Sequence, residues 1–354
     1  MRLSRLLPAA AVLALVGCDG SDPAPRPCAL YDTCGIEQPL RVTPLNVDAD
    51  PPANVEVLFQ VQTATREPIS GLSASDFVIY EDGDLISEFE AGAQIQPRSE
   101  RFRSATVLLL DFSASVTQSG NLEPLKDAAT SFARTVLPPA TSPEFGQAEV
   151  AVFWFDGSET IRQLAGFTAD PEVVAGAIAG VTPAISNDNS TNLYGAVIEG
   201  VDVVQAKVDA LQGEGIIAVG SLVTFTDGRD TAGRTTLARA ISAVDGATAE
   251  QVNGLATFNG FTIGLGGEVN AAALMELGPA LYAQAGDTAA LNAEFARIAG
   301  RVRAEANSFY VLEYCSPKRA GTHTLGIRVE ARGSAGFLEE RFDASRFTGG
   351  CSVD

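Results

Sequence analysis

Val107-Leu-Leu-Leu-Asp-Phe-Ser-Ala-Ser115 is a short apolar run that ends in three oxygen-bearing side chains at alternate positions, Asp111, Ser113 and Ser115. Unbroken apolar character, without alternation, predicts a strand buried on both faces, as in the middle of a parallel sheet. In open α/β sheets, ligands bind outside the carboxyl ends of the strands, where loops bring side chains together from separate parts of the chain. The end of this strand is therefore the first place to look for a site, and its donors suit a divalent metal.

Outward from this run, strand-like and helix-like patterns alternate between about Ser104 and Ala306, which predicts a parallel α/β sheet. Apolar residues at helical spacing run from Leu122 to Val136 and stop at Pro138-Pro139. Ala148 to Phe155, Gly220 to Thr226 and Thr257 to Gly264 read as strands. Pro171 to Ile178, Thr191 to Leu211, Thr235 to Val244 and Ala289 to Arg303 read as helices. The flanks differ in kind. Asn54 to Thr63 alternates, with Val55, Val57, Phe59 and Val61 on one face, and Asp76 to Gly83 reads as a strand with a tight turn. Ser308 to Tyr314, Thr322 to Ala331 and Gly336 to Phe342 are β-rich in the same way. The fold class expected is α/β, a Rossmann-like doubly wound and mostly parallel sheet, with a small β-sandwich-like domain built from both flanks.

The 354 residues carry 24 basic and 44 acidic side chains, a net charge of −20, and 46% of them are hydrophobic. Such a chain can bury a real core. Its charge repels nucleic acid and anionic lipid, so neither is an expected partner.

Arg2 and Arg5 precede the eleven mostly apolar residues Leu6 to Val16, too few to span a bilayer but suited to a secretory signal. Leu15-Val16-Gly17-Cys18 resembles the bacterial lipobox, which implies lipidation of Cys18; an ordinary signal peptide with a coincidental cysteine is the plainer alternative. The resemblance places the protein in the bacterial cell envelope, held by its lipid alone, on either the inner or the outer membrane. Cys28, Cys34, Cys315 and Cys351 then form an even set in an exported chain, which predicts disulfides. Three pairings exist, and loop closure favours Cys28 with Cys34 and Cys315 with Cys351. The expected organisation is a signal peptide at 1–17, a flexible tether at 18–52, a β segment at 53–103, the α/β domain at 104–306 and a C-terminal β segment at 307–354 that packs with 53–103.

Two further clusters fall at predicted strand ends or helix starts: Ser190-Thr191-Asn192-Leu193-Tyr194-Gly195-Ala196 and Thr226-Asp227-Gly228. Together with Asp111, Ser113 and Ser115 they resemble the von Willebrand factor type A domain and its metal-ion-dependent adhesion site, over about Ser104 to Ala306. The resemblance implies metal ligation by Asp111, Ser113, Ser115, Thr191 and Asp227, with the two carboxylates acting largely through water. One coordination position would be left for an acidic side chain of a protein partner. Hydroxyls and carboxylates are hard donors, so Mg²⁺ is the expected ion, with Mn²⁺ or Ca²⁺ as substitutes. Taken singly, the same residues have plainer uses: Ser113, Ser115 and Thr191 as helix caps, Asp227-Gly228 as a turn. Asp230 reads as a solvated or capping residue, Asn187 to Asn189 as shaping their loop, and Asp156 as a weak supporting candidate. Pro68 to Gly83 and Phe309 to Tyr314 look like the flanking strands of bacterial von Willebrand-type proteins.

Catalysis is not expected. The sole histidine, His323, lies in the β-rich tail away from any Gly-x-Ser-x-Gly elbow, and no Gly-x-x-x-x-Gly-Lys-Ser/Thr loop occurs. Two alternatives to adhesion stand: a structural domain whose metal mainly stabilises the fold, and a Mg²⁺-dependent hydrolase using Asp111 and Asp227.

Overall fold

The computed structural model describes residues 40–86, 94–97, 102–249, 251–252, 255–256 and 258–350. The N-terminal flank contributes β1 (Arg41–Asp50), β2 (Asn54–Gln62), β3 (Phe77–Glu81), β4 (Asp84–Leu85) and β5 (Gln94–Pro97). The central part runs β6 (Phe102–Asp111), α1 (Ala114–Thr117), α2 (Leu122–Val136), β7 (Ala148–Phe155), β8 (Arg162–Thr168), α3 (Pro171–Ala179), α4 (Leu193–Gly213) and β9 (Ile217–Thr226). It continues through α5 (Leu237–Ala249), the short pair β10 (Gln251–Val252) and β11 (Leu255–Ala256), β12 (Phe258–Leu265), α6 (Ala271–Leu277), β13 (Leu281–Ala285) and α7 (Thr288–Ala306). The C-terminal flank supplies β14 (Phe309–Cys315), β15 (Thr322–Ala331) and β16 (Ser334–Asp343).

The central sheet has six strands in the order β13-β12-β9-β6-β7-β8. Its pairs are parallel from β13 through β7, and only β8 runs antiparallel, on the edge. β6 sits inside the sheet and is packed from both sides. Leu108 and Leu110 join a core with Phe132 of α2 and Phe295 of α7, whereas Val107 and Leu109 join one with Val197 and Val201 of α4. That two-sided burial explains the unbroken apolar run: each of Val107 to Leu110 is 0% exposed, worth about 1.5–3 kcal/mol per side chain. Close approach of α4 requires Gly200, where a Cβ would lie 2.9 Å from Leu222 and 3.2 Å from Leu109.

The flanks form two four-stranded sheets, β1-β2-β14-β5 and β16-β15-β3-β4. Their facing side chains share one core, with Phe59 against Phe77 at 5.7 Å between ring centroids and Phe77 against Tyr310 at 5.3 Å. β1 meets β16 where the Leu40 amide donates to the Ala335 carbonyl at 2.7 Å. A smaller cluster joins this unit to the α/β part through Leu45, Leu58, Phe102 and Phe309, the two rings stacked at 4.6 Å.

The expected tether at 18–52 is corrected over its last part, 41–50. Arg41–Asp50 is a strand antiparallel to β2, and Leu45 is 4% exposed. Pro44, Asp48 and Asp50 argue against a strand, but β1 is an edge, and its register shifts between Pro44 and Asn46, a place where a missing N–H is tolerated. Residues 1–39, with the expected signal, Cys18, Cys28 and Cys34, lie outside the described residues, as does Cys351. Cys315 is disulfide-bonded. Among the described residues no helix is long and apolar enough to cross a membrane.

Candidate metal centre

Strand order creates the site. From β6 the chain adds β7 and β8 on one side, then returns to place β9 on the other. The crevice lies where the winding reverses, between the carboxyl ends of β6 and β9. Asp111 ends β6, and Thr226 ends β9 with Asp227 directly after it.

Hydrogen bonds connect these ends in one continuous path. Thr226 Oγ1 donates to Asp111 Oδ2 at 2.7 Å, and Asp111 Oδ1 accepts from the Ser113 amide at 2.9 Å. The Ser113 and Ser115 hydroxyls share a bond of 3.1 Å, and Ser115 Oγ donates to Asp227 Oδ1 at 2.8 Å. Ser113 stands at the N-cap of α1, but its side chain makes no capping bond. Its hydroxyl faces Ser115 instead.

The Thr191 segment is held from both sides by backbone bonds. On one side the Ala114 amide donates to the Asp188 carbonyl at 2.8 Å. On the other, Thr191 N donates to Thr231 Oγ1 at 2.9 Å, and its carbonyl accepts from the amides of Thr231 and Ala232. Thr191 is buried at 4% exposure. The helix expected to start there begins two positions later, at Leu193, with Asn192 as N-cap. The Thr231 loop takes the Thr191 carbonyl, which a helix starting there would give to an amide of its own next turn.

Supporting residues complete the frame. Asp156, at the end of β7, accepts from Ser186 Oγ at 2.7 Å, Ser158 N at 2.8 Å and Arg162 Nη1 at 3.1 Å. Burial pushes its carboxyl up, but the bonds from Ser158, Ser186 and Arg162 outweigh this and hold it below the usual range. Arg162 also lies over the Trp154 ring, 4.5 Å from its centre. Asp230 accepts from the Tyr194 and Gly233 amides, so it caps a neighbouring helix start and braces its own loop. Gly157 leaves room for the Ser190 and Asp188 side chains: a Cβ there would fall 1.8 Å from Ser190 Oγ, so that side chain would have to turn away.

Burial raises both Asp111 and Asp227, but Asp111 is fully buried and Asp227 only in part. Burial pushes Asp111 up to about 6, aided by the charge of Asp227 and opposed by the bonds from Ser113 and Thr226. Asp227 is also raised, by burial first, with Ser115 and Asn121 opposing. Among the described residues no Lys or Arg pairs with either carboxylate. Burying such charge uncompensated costs several kcal/mol, and a bound cation would offset it. The donor set fits a hard ion: two carboxylates and the hydroxyls of Ser113 and Ser115, with neither imidazole nor thiolate. Among the described residues no group of three or more His, Cys, Asp or Glu side chains is placed to hold a metal. A centre at these strand ends would therefore need hydroxyl ligands beside its carboxylates.

Thr226 and Thr231 were not among the expected ligands. Thr226 stands beside a named carboxylate in the sequence, but its bond to Asp111 depends on β6 and β9 being neighbours. Nothing local in the sequence marks Thr231.

No protein-family model matches the chain, and no curated protein does. Among solved structures, proximal thread matrix protein 1 from the mussel byssus is similar at 15% identity and a TM-score of 0.42, over 63% of this chain and 49% of that one. The chain thus spans about half the length of that protein. A von Willebrand factor type A structure from Catenulispora acidiphila is similar at 12% identity and a TM-score of 0.45, over 90% of this chain and 76% of that one. The von Willebrand domain of the pilus tip protein Mfa5 from Porphyromonas gingivalis is similar at 13% identity and a TM-score of 0.39, over 57% and 95%.

Proposed function

We propose that the chain carries a von Willebrand type A domain that binds a protein partner through a divalent cation, Mg²⁺ by donor chemistry, with Mn²⁺ or Ca²⁺ as substitutes. Asp111, Ser113, Ser115, Thr191 and Asp227 would hold the ion. The observation that carries this reading is the path Thr226–Asp111–Ser113–Ser115–Asp227, which brings a buried and a half-buried carboxylate and two hydroxyls together at the strand ends, with no Lys or Arg paired to either carboxylate among the described residues. An ion held largely by neutral hydroxyls keeps positive charge to offer, and it would attract a partner's carboxylate even in a chain of net charge −20. Attachment through a lipid on Cys18 would present the domain at a bacterial membrane, with the β unit between anchor and site. The role is binding, not catalysis.

Titration of Mg²⁺ into the protein and into an Asp111→Ala/Asp227→Ala variant tests the centre by calorimetry. Heat is expected only from the unaltered protein, and equal binding by both would sink the proposal. A second reading, in which the ion chiefly fastens the fold, draws on the same hydrogen-bonded loops. It predicts that the partner is kept in EDTA and by Thr191→Ala, whereas adhesion through the ion predicts that both lose it. Membrane fractionation of Cys18→Ser tests the anchor; the variant is expected in the soluble fraction.

A further inference from the structure

Three arginines hydrogen-bond to the loops at this end of the central sheet, and two of them are matched by carboxylates. Arg162 pairs with Asp156 at 3.1 Å. Arg234 pairs with Glu159 at 3.3 Å and donates to the Gly157 carbonyl at 2.6 Å. Arg229 is different. It is exposed, lies two residues after Asp227, and donates its Nε–H to the Glu268 backbone carbonyl at 2.8 Å. Glu268 belongs to the loop after β12, the parallel neighbour of β9. The bond therefore spans the two loops and holds the guanidinium on the β12 side of the loop that carries Asp227. Among the described residues no carboxylate pairs with Arg229, although acidic side chains outnumber basic ones 44 to 24.

A guanidinium held through Nε still has its terminal Nη donors, whose parallel geometry suits a carboxylate. The segment after Asp111, Ser113 to Asn121, carries no charged side chain. Attraction of an acidic partner cannot come from the overall charge, which is negative, so it must come from local positive points. We infer that Arg229 is a second recognition point beside the metal, and that the partner segment presents two acidic side chains, one to the ion and one to Arg229. This inference rests on the metal-site reading above and adds the chemistry of what the site selects. It makes Arg229 a specificity residue, with no part in holding the ion.

The test uses random peptides displayed on phage, selected on the full chain in Mg²⁺ and eluted with EDTA. Enriched peptides are expected to share two acidic residues. Their binding is then measured against the protein, Arg229→Glu and Arg229→Lys. Arg229→Glu is expected to weaken two-acid peptides by about tenfold or more, and Arg229→Lys by less. Changing one peptide acid to Lys should restore binding to Arg229→Glu, while in the charge-conserving Arg229→Lys calorimetric Mg²⁺ binding stays as in the unaltered protein. EDTA-eluted peptides that bind Arg229→Glu within about twofold of the unaltered protein would overturn the inference and leave the metal reading standing. A selection without EDTA-sensitive peptides, or peptides kept by Asp111→Ala/Asp227→Ala, would overturn both.

Discussion

Thr226 and Asp111 stand 115 positions apart in the chain and are joined by a 2.7 Å hydrogen bond. The bond links the carboxyl ends of two adjacent parallel strands at the point where the winding of the sheet reverses. Topology alone would only bring the two loops near each other. This contact fixes the Asp111 carboxylate, while Thr226 Oγ1 also accepts from the Gly228 amide at 3.1 Å and so shapes the loop that holds Asp227.

Thr226→Val keeps the shape of the side chain and removes both bonds. Asp111 Oδ2 is buried and loses its donor, a defect worth about 1–3 kcal/mol. Urea unfolding should show that loss in Thr226→Val, with Thr226→Ser close to the unaltered protein. Equal stability of the Val variant would mean that the bond contributes nothing net.

Gly157→Ala tests the frame of the Thr191 segment. The added methyl would lie 1.8 Å from Ser190 Oγ and 2.8 Å from Asp188 Oδ2, so the Ser190–Asp188 bond of 2.7 Å must break or the loop must move. The Asp188 carbonyl accepts from Ala114, so movement reaches the Asp111-to-Ser115 turn. Mg²⁺ affinity is expected to fall about tenfold or more, the size seen when outer supports of metal ligands are lost. Gly176→Ala is the control: in α3 its Cβ meets nothing within 4 Å, and helix propensity favours Ala by up to about 1 kcal/mol. It should stabilise the protein and leave Mg²⁺ binding unchanged.

These contacts show what could be read from residues alone. β6 was legible because a strand packed on both faces has no room for polar alternation, and Asp111, Ser113 and Ser115 follow it directly. β1, β8 and β13 were not, because edge strands tolerate Pro44 or exposed Arg162 and Gln163, or are as short as Leu281–Ala285. The proposed donor set stood out as residue types at two strand ends and one helix start. The bonds that orient it, from Thr226, Thr231 and Asp188, depend on neighbours in space.

His323 and Asp82 give the β unit a pH dependence. His323 Nδ1 lies 2.7 Å from Asp82 Oδ2, and this bond raises the imidazole pKa above its ordinary value. Asp82 is lowered, first by the Thr324 amide and then by His323. A raised histidine contributes stability below its unfolded pKa of about 6.5 and loses it as pH rises through the folded value. A lowered aspartate contributes above about 3.8 and loses it as pH falls. The pair should therefore help most between these limits. The stability gap between the protein and His323→Asn is expected to narrow from pH 6 to pH 8; a constant gap would show that the charge on His323 contributes nothing.

Arg301 ties the last helix to the β unit. On α7 it bonds Glu305 at 3.0 Å, and it reaches across to the Glu67 carboxylate and, at 3.2 Å, to the Arg66 carbonyl. Glu305 is 5% exposed, and burial raises its pKa while Arg301 opposes the rise. Removing the cation leaves that carboxylate buried and alone, which costs about 3–5 kcal/mol, far more than a surface pair would. Arg301→Met should show a loss of that order in urea unfolding. If the cost comes from the stranded charge, Arg301→Met/Glu305→Leu should recover most of it. If it comes from the lost bridge to the Arg66 carbonyl and the Glu67 carboxylate, the double variant should stay as weak as the single one, and Glu67→Gln alone should reproduce part of the defect.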